Sequence, residues 1–178
     1  MTLGMLDAKE HDRIIADFEQ VCTTAGIQGH FMYESAKKYC GPIEVDWITK
    51  FWAYKAHGCP GLVLHGVTKP DTRCQSIAAA LVRNYVDARV IPLNTLIESM
   101  MNGGTAPAPT VLLIPNLYML AMSKNVPPWR IQVMYDLLLE RAIKNKPTVV
   151  YVEDVKGLTS MYGAPFADFL SRFTLVEK

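Results

Sequence analysis

The segment from Gly66 to Arg73 is the first place where residue types and position suggest chemistry. It follows a short apolar run, GLVLH, and precedes an alanine-rich helical stretch, CQSIAAALVRNYV. A loop between a strand and a helix binds phosphate groups when glycines expose its backbone N–H groups and a lysine and a hydroxyl follow. Here Pro70 lacks a backbone donor, and the carboxylate of Asp71 repels anions. The composition of this loop therefore disfavours phosphate binding.

Cysteine and histidine are the other residue types that could carry chemistry. The 4 cysteines form no CxxC pair, and the 4 histidines do not fall beside them at zinc-ligand spacing. We therefore predict reduced thiols and no metal site. Cys59 lies close to His57 in sequence, which leaves open a reactive cysteine in an enzyme of unrelated chemistry. No other constellation of nucleophile, base or metal ligands supports catalysis, so we predict that the protein is not an enzyme.

The elements that must position the loop alternate between strands and helices. Strands are predicted at GLVLH, ARVIP, TVLLI, PTVVYVE and FTLVE, with helical patterns between them. The longest of these patterns runs from Pro127 to Lys146. Five apolar strands that alternate with helices predict an α/β fold, a three-layer sandwich around a parallel sheet.

Two further helices precede the first strand. One begins after Asp7 and ends at Gly26, and the other runs from Pro42 to His57, with Trp47 and Phe51 facing inward. We predict an N-terminal helical segment over residues 1–40 and one compact α/β unit over residues 41–178. The segment GGTAPAPT is a short connector between elements inside the α/β unit and not a domain boundary. The apolar stripe of the first helix is either part of the core or a docking element for a partner.

Composition limits the class of protein. The chain has 178 residues, half of them hydrophobic, with 18 Lys and Arg against 17 Asp and Glu. That balance is typical of a globular domain and generates no long-range field for nucleic acid or a membrane surface. No signal segment and no run of 18 apolar residues is present in the sequence, so we expect a cytoplasmic protein.

The order and spacing of these pieces resemble a known family. They are the glycine before the first strand, the loop, the alanine-rich helix, the apolar third strand, the long helix with YDLLLERAIKNK, the PTVVYV strand and the final LSRF. From Ala25 onward the chain resembles the DnaC, DnaI and IstB helicase loaders, which are AAA+ proteins related to the DnaA initiator. The resemblance implies the P-loop core of AAA+ proteins, with no room for their C-terminal helical lid.

The resemblance also implies where a nucleotide site would lie. The Walker A positions for glycine, lysine and hydroxyl correspond to Asp71, Thr72 and Arg73. The glycine, the lysine and the hydroxyl that bind phosphate and magnesium in that family are therefore all replaced here. Lys69 lies before Pro70, too early to be the phosphate-binding lysine, and is expected to be a solvated loop residue.

Two other motif positions are changed in the same way. The Walker B acids correspond to Pro115 and Asn116, which can neither hold magnesium nor activate water. The polar sensor at the end of the fourth strand corresponds to Glu153, a carboxylate that would repel a phosphate. Arg172 matches the box VII arginine, which reaches a neighbouring subunit's nucleotide in that family; the alternative is a surface arginine paired with Asp168.

We therefore expect a pseudo-ATPase without cofactor or metal that binds another protein, such as an AAA+ ATPase or a replicative helicase, and that could form homo- or hetero-oligomers. The segment Tyr118–Met122 is either a partner-facing apolar loop or a buried one. The alternative function is a DNA-binding accessory module on the same fold. Its phosphate contacts would come from residues that could equally be a solvated face: Lys37, Lys38, Arg141, Lys144 and Lys146.

Overall fold

The computed structural model describes residues 1, 5–101, 107–122 and 126–177. Its centre is a five-stranded sheet with the order β2-β3-β4-β1-β5, in which every neighbouring pair is parallel. The strands are β1 (Gly61–His65), β2 (Ala88–Val90), β3 (Val111–Tyr118), β4 (Thr148–Val152) and β5 (Thr174–Glu177). The predicted parallel α/β sheet is confirmed.

Helices connect the strands and cover both faces of the sheet. The first five are α1 (Asp12–Ala16), α2 (Phe18–Ala25), α3 (Pro42–Thr49), α4 (Phe51–Ala56) and α5 (Pro70–Arg83). The remaining four are α6 (Leu93–Met101), α7 (Pro128–Ile143), α8 (Val155–Tyr162) and α9 (Ala164–Leu170). Two short 3₁₀ helices, Gly29–Tyr33 and Ala36–Lys38, lie between α2 and α3.

The core has two layers because successive side chains of a strand point to opposite faces of the sheet. Leu62 and Leu64 of β1 are buried with side chains from α1 to α5. Val63 between them is buried on the other face, with side chains from α6 to α9. Burial on both faces explains why the central strands are apolar runs without polar alternation.

The two predicted helices before β1 are each interrupted once. The first breaks at Asp17, between α1 and α2, and the second breaks at Lys50, between α3 and α4. Both residues have φ and ψ outside the helical range (−111° and 30° for Asp17, −100° and 20° for Lys50). Trp47 and Phe51 are nevertheless both buried, as predicted.

The third strand is longer than predicted. The sequence pattern ended it at Ile114, whereas β3 continues to Tyr118. The register against β4 shifts between Ile114, which faces Val150, and Tyr118, which faces Val152. Proline is tolerated inside a sheet at such an irregularity, because no ladder hydrogen bond is required of its nitrogen. Pro115 therefore marks a bulge and not the end of the strand.

The N-terminal segment contributes to the core. Ile14, Cys22 and Ala25 are buried in the layer that contains α5, whereas Ile15 is exposed. The core alternative for this stripe is thus correct for most of it, and the boundary between residues 40 and 41 remains a prediction. Much of the predicted connector GGTAPAPT lies outside the described residues. Within the described ranges, no helix is long and apolar enough to cross a membrane.

Candidate functional site

The loop after β1 lies where the ends of several strands meet. Because the strands are parallel, the residues that follow β1, β3 and β4 share one edge of the sheet, which we call the carboxyl edge. Gly66 turns the chain there with φ of 59°, a left-handed conformation that favours glycine. Its N–H donates to the carbonyl of Val152 over 3.0 Å. Lys69, exposed as predicted, precedes Pro70, the first residue of α5.

Arg73 is held by a buried carboxylate. Its guanidinium Nη1 lies 2.5 Å from Oε1 of Glu44, whose side chain is 1% exposed. The other oxygen of Glu44 accepts from the N–H of Gly41 over 2.9 Å, at the start of α3. Arg73, which the resemblance matched to the Walker A hydroxyl position, therefore joins α5 to α3 in a charge-assisted pair.

Asp71 is bonded to its own helix. Its Oδ2 accepts from the side-chain amide of Gln75 over 2.7 Å, and Gln75 in turn accepts from the N–H of Gln28 over 2.9 Å. The carboxylate also lies in the first turn of α5, where the helix dipole stabilises a negative charge. Thr72 is half-buried and makes no side-chain hydrogen bond with the described residues. A polar cavity of about 270 Å³ lies beside these residues, next to His30 and Tyr39.

Pro115 and Asn116 lie inside β3, not after it. Pro115 is buried. Oδ1 of Asn116 accepts from the N–H of Leu93 over 2.8 Å, which satisfies a free backbone donor at the start of α6. The Asn116 side chain thus fastens β3 to the neighbouring helix.

Glu153 and Asp154 follow β4 and both accept backbone hydrogen bonds. Oε2 of Glu153 accepts from the N–H of Leu120 over 2.8 Å. Asp154 caps α8 by accepting from the N–H groups of Lys156 and Gly157 over 3.1 and 2.7 Å. Glu153 therefore holds the segment after β3. That segment is divided, because Tyr118 is buried whereas Leu120 and Met122 are exposed.

Two buried cysteines lie close to the Arg73–Glu44 pair. Burial raises the pKa of the Cys40 thiol to about 12, with a further contribution from the Glu44 charge. Burial also raises the pKa of Cys74. Both thiols therefore stay protonated at neutral pH. Across the described ranges, no three His, Cys, Asp or Glu side chains are grouped so that they could hold a metal ion.

Arg172 lies at the opposite edge of the sheet, which we call the amino edge, because it precedes β5. Its guanidinium lies 6.0 Å from the ring centre of Phe169 and the residue is exposed. No described carboxylate is within ion-pair distance of it, so the predicted pairing with Asp168 is wrong. A groove of about 550 Å³ runs past Arg172 and Cys59.

His57 and Cys59 share this groove but do not bond to each other. The ring Nδ1 of His57 lies 2.7 Å from the carbonyl oxygen of Ala53 in its own helix. The Cys59 sulfur lies 3.5 Å from the carbonyl oxygen of Gly61 and 3.6 Å from Oγ1 of Thr174. The pairing of a nucleophile with a base that the sequence left open is therefore not formed.

The residues considered for phosphate contacts do not form one surface. Arg141 is 4% exposed and donates to Oγ1 of Thr148 over 2.9 Å and to the carbonyl of Pro147 over 3.1 Å. Burial lowers its pKa to about 10. The assignment of Arg141 to a solvent-exposed basic face is wrong, because the guanidinium satisfies carbonyl groups inside the protein.

Three lysines of the same set, Lys38, Lys144 and Lys146, are engaged with other groups of the chain. Lys38 pairs with Glu34 and Lys144 pairs with Glu140, each one helical turn away. Lys146 donates to the carbonyl of Ala108 over 2.9 Å. Lys37 is exposed. Such pairs contribute little to stability and leave a surface of mixed charge.

Sequence reasoning missed two residues at the carboxyl edge. Glu44 follows Gly41-Pro42 at the spacing of a capping box, which could have placed it in the first turn of α3. Nothing in the pattern showed that it meets Arg73, 29 positions away. Arg130 was likewise passed over; its guanidinium donates to Oδ1 of Asn94, and its Nε is buried without a partner.

Comparison with known proteins shows the fold. Neither a protein-family model nor a curated protein sequence matches the chain. A crystal structure of the DnaC helicase loader is similar, with a TM-score of 0.59 and 13% identity over 76% of this chain and 85% of that chain. A crystal structure of a DNA replication initiation factor is also similar, with a TM-score of 0.55 and 7% identity over 80% of this chain and 48% of that chain. The five-stranded parallel α/β fold that the resemblance implied is thus confirmed.

Proposed function

We propose that this protein is an AAA+-like scaffold that does not cycle ATP and acts by binding another protein. The observation that carries the proposal is the ion pair between Arg73 and the buried Glu44. In a Walker A loop that position supplies a hydroxyl to magnesium. Here it supplies a cation whose partner lies in the protein interior, so the loop is part of the fold.

The other residues at the carboxyl edge do not fit a magnesium–triphosphate group. The Asp71 carboxylate occupies the start of α5, where a phosphate would otherwise be favoured. Asn116 directs its oxygen to a backbone N–H, and Glu153 brings a negative charge. No lysine stands at the phosphate position and no carboxylate at the metal position, so these residues do not fit a bound magnesium–nucleotide complex.

The class of partner comes from the similar structures and from Arg172. The matched proteins are described as a helicase loader and a replication initiation factor. An accessory protein of this fold would bind a replication ATPase or a helicase through surfaces that do not depend on its own catalysis. Arg172 is exposed without a carboxylate partner among the described residues, which leaves its guanidinium able to contact an anionic group of another chain.

Isothermal titration with ATP and magnesium tests the absence of nucleotide binding. We expect no heat of binding in the titration and, in a separate thermal denaturation, no change in Tm at millimolar nucleotide. A ligand present at 100 times its Kd would stabilise the protein by about 2.7 kcal/mol and would therefore raise Tm. An ATP-binding AAA+ protein in the same buffer serves as the positive control. Micromolar affinity for ATP in either assay would contradict the proposal.

Cross-linking in cells followed by affinity purification tests the class of partner. We expect a replication ATPase or helicase to be recovered with the wild-type chain and to be reduced with Arg172→Ala. Arg89→Ala is the matched control, because Arg89 is a partly exposed arginine that already pairs with Asp87. Equal recovery of the partner protein with both variants would show that Arg172 is not part of the interface.

A further inference from the structure

A second cavity at the carboxyl edge, between α6 and α7, is distinct from the loop after β1. It has a volume of about 230 Å³, and it shares no lining residue with the cavity beside Asp71. Its polar side chains include Asn94, Asn116 and Arg130. None of the described residues that line it is acidic, and Arg130 is the one charged side chain among them. The described lining of the cavity therefore carries a net positive charge.

Arg130 supplies that charge. Its Nη2 donates to Oδ1 of Asn94, and its Nε is buried with no hydrogen-bond partner among the described residues. No described carboxylate forms an ion pair with it, and the undescribed residues 123–125 in the adjacent segment are Ser, Lys and Asn. The residue also lies in the first turn of α7, where the helix dipole disfavours a cation. Helix stability therefore does not explain this arginine, and a buried unpaired N–H group is costly.

The two asparagines complete a set of donors. Oδ1 of Asn94 accepts from Arg130, and Oδ1 of Asn116 accepts from the N–H of Leu93, so each amide must present its NH₂ group elsewhere. No described group accepts a hydrogen bond from either NH₂. One guanidinium and two neutral amide donors match a group with a single negative charge and two oxygens, which is a carboxylate. A phosphate dianion would be only half neutralised.

The rest of the lining selects what carries the carboxylate. Met119, Met122 and Val126 give the cavity an apolar side, and Met122 is 66% exposed. We propose that this cavity binds the side-chain carboxylate of a peptide segment in which an acidic residue is flanked by apolar residues. The apolar neighbours would cover the methionines, which adapt readily to different ligands. This inference is independent of nucleotide binding.

Solution NMR with capped tripeptides tests the site directly. The probes are acetyl-Leu-Glu-Leu-amide and the matched acetyl-Leu-Gln-Leu-amide, and the readouts are the Nε–H signal of Arg130 and the backbone signals of Leu93 and Met119. We expect saturable shifts with the glutamate peptide at an affinity on the order of millimolar, and at least about tenfold weaker binding of the glutamine peptide. Acetate is expected to bind more weakly than the glutamate peptide, because it lacks the apolar flanks.

Variants separate a site from a general charge effect. Arg130→Gln should weaken the glutamate peptide by about tenfold or more, whereas Arg89→Gln should leave its affinity unchanged. Circular dichroism verifies that both variants are folded; if Arg130→Gln does not fold, Asn94→Leu replaces it. Absence of saturable shifts, equal affinity for the two peptides, or unchanged binding by the variant would overturn the proposal. Tighter binding of inorganic phosphate than of the glutamate peptide would overturn the carboxylate assignment.

Discussion

The two edges of the sheet use their polar side chains differently. At the carboxyl edge, four motif positions contact other groups of the same chain: Arg73 with Glu44, Asp71 with Gln75, Asn116 with Leu93 and Glu153 with Leu120. At the amino edge, Arg172 is exposed, and its guanidinium lies over the ring of Phe169 without an ion pair in the described part of the chain. These four side chains are engaged within the fold, whereas the guanidinium of Arg172 forms no ion pair with the described residues.

This difference separates Arg73, which belongs to the fold, from Arg172, the residue of the proposed partner contact. A side chain that binds a ligand must be available in its absence, whereas one that holds helices together is already engaged. Arg73 is already engaged, whereas Arg172 is available, as the proposed partner contact requires. A change of Arg73 should therefore lower the free energy of unfolding much more than a change of Arg172.

The largest effect is expected from Arg73→Ala. Removal of the guanidinium leaves the Glu44 carboxylate buried, with the N–H of Gly41 as its remaining donor among the described residues. Breaking a buried ion pair in this way costs about 3 kcal/mol. Urea denaturation at neutral pH should show that loss in the free energy of unfolding, with Thr72→Ala, a neighbour without a side-chain hydrogen bond to the described residues, close to wild type.

A double-mutant cycle with Glu44→Gln sharpens this test. In the double variant the side chain at position 44 is neutral, so no unpaired carboxylate is left buried there. We therefore expect the double variant to be more stable than Arg73→Ala alone by about 1 kcal/mol or more. If Arg73→Ala lowered the free energy of unfolding by less than about 0.5 kcal/mol, the pair between Arg73 and Glu44 would not stabilise the fold.

Thiol reactivity compares the two edges by a second measurement. Cys59 at the amino edge is partly exposed, whereas Cys40 and Cys74 at the carboxyl edge are buried. Burial raises the pKa of both, so little thiolate is available and alkylation must await local opening. Iodoacetamide at pH 8, followed by mass spectrometry, should label Cys59 at least about tenfold faster than either. Comparable rates would contradict the tight packing of the carboxyl edge.

The same thiols predict how stability depends on pH. The folded pKa of Cys40 is about 12, above its ordinary value of 9.0. The unfolded chain therefore loses this proton first. The contribution of Cys40 is fully present below pH 9.0 and is lost as pH rises toward about 12. Cys40→Ser should reduce the decline in Tm across this window, and Cys59→Ser should leave it unchanged.

A smaller effect is expected from Asn116→Ala, which removes the acceptor for the N–H of Leu93 at the start of α6. Loss of such a cap costs about 1 kcal/mol. Asn116→Asp retains an acceptor and adds a charge that the helix dipole favours, so it should be at least as stable as wild type at neutral pH. Equal destabilisation by both substitutions, measured by urea denaturation, would show that this bond contributes nothing.

Local patterns predicted much of the fold. β1 and β4 are apolar runs bounded by glycine or proline, and their limits match the structure closely. The predicted end of β3 was wrong. A proline such as Pro115 indicates the end of a strand in a sequence, whereas here the irregular register between β3 and β4 accommodates it. A bulge depends on the partner strand, which a local pattern does not contain.

The site was harder to predict than the fold. The resemblance gave the motif positions, and their residue types predicted poor phosphate binding, but neither could show which groups those side chains contact in the fold. Arg141 looked like part of a basic surface and is buried, because its carbonyl partners come from segments brought together only by folding. Glu44 and Arg73 are joined in the same way across two helices.

The smallest effect is expected from Arg172→Ala. An exposed contact between a guanidinium and an aromatic ring contributes about 0.5–1 kcal/mol, so the free energy of unfolding should fall by no more than that. Arg141→Ala is the contrasting control, because it leaves buried carbonyl groups without donors and should cost several times as much. If thermal and urea denaturation gave similar losses for both arginines, Arg172 would belong to the fold as Arg73 does, and the difference between the two edges would disappear.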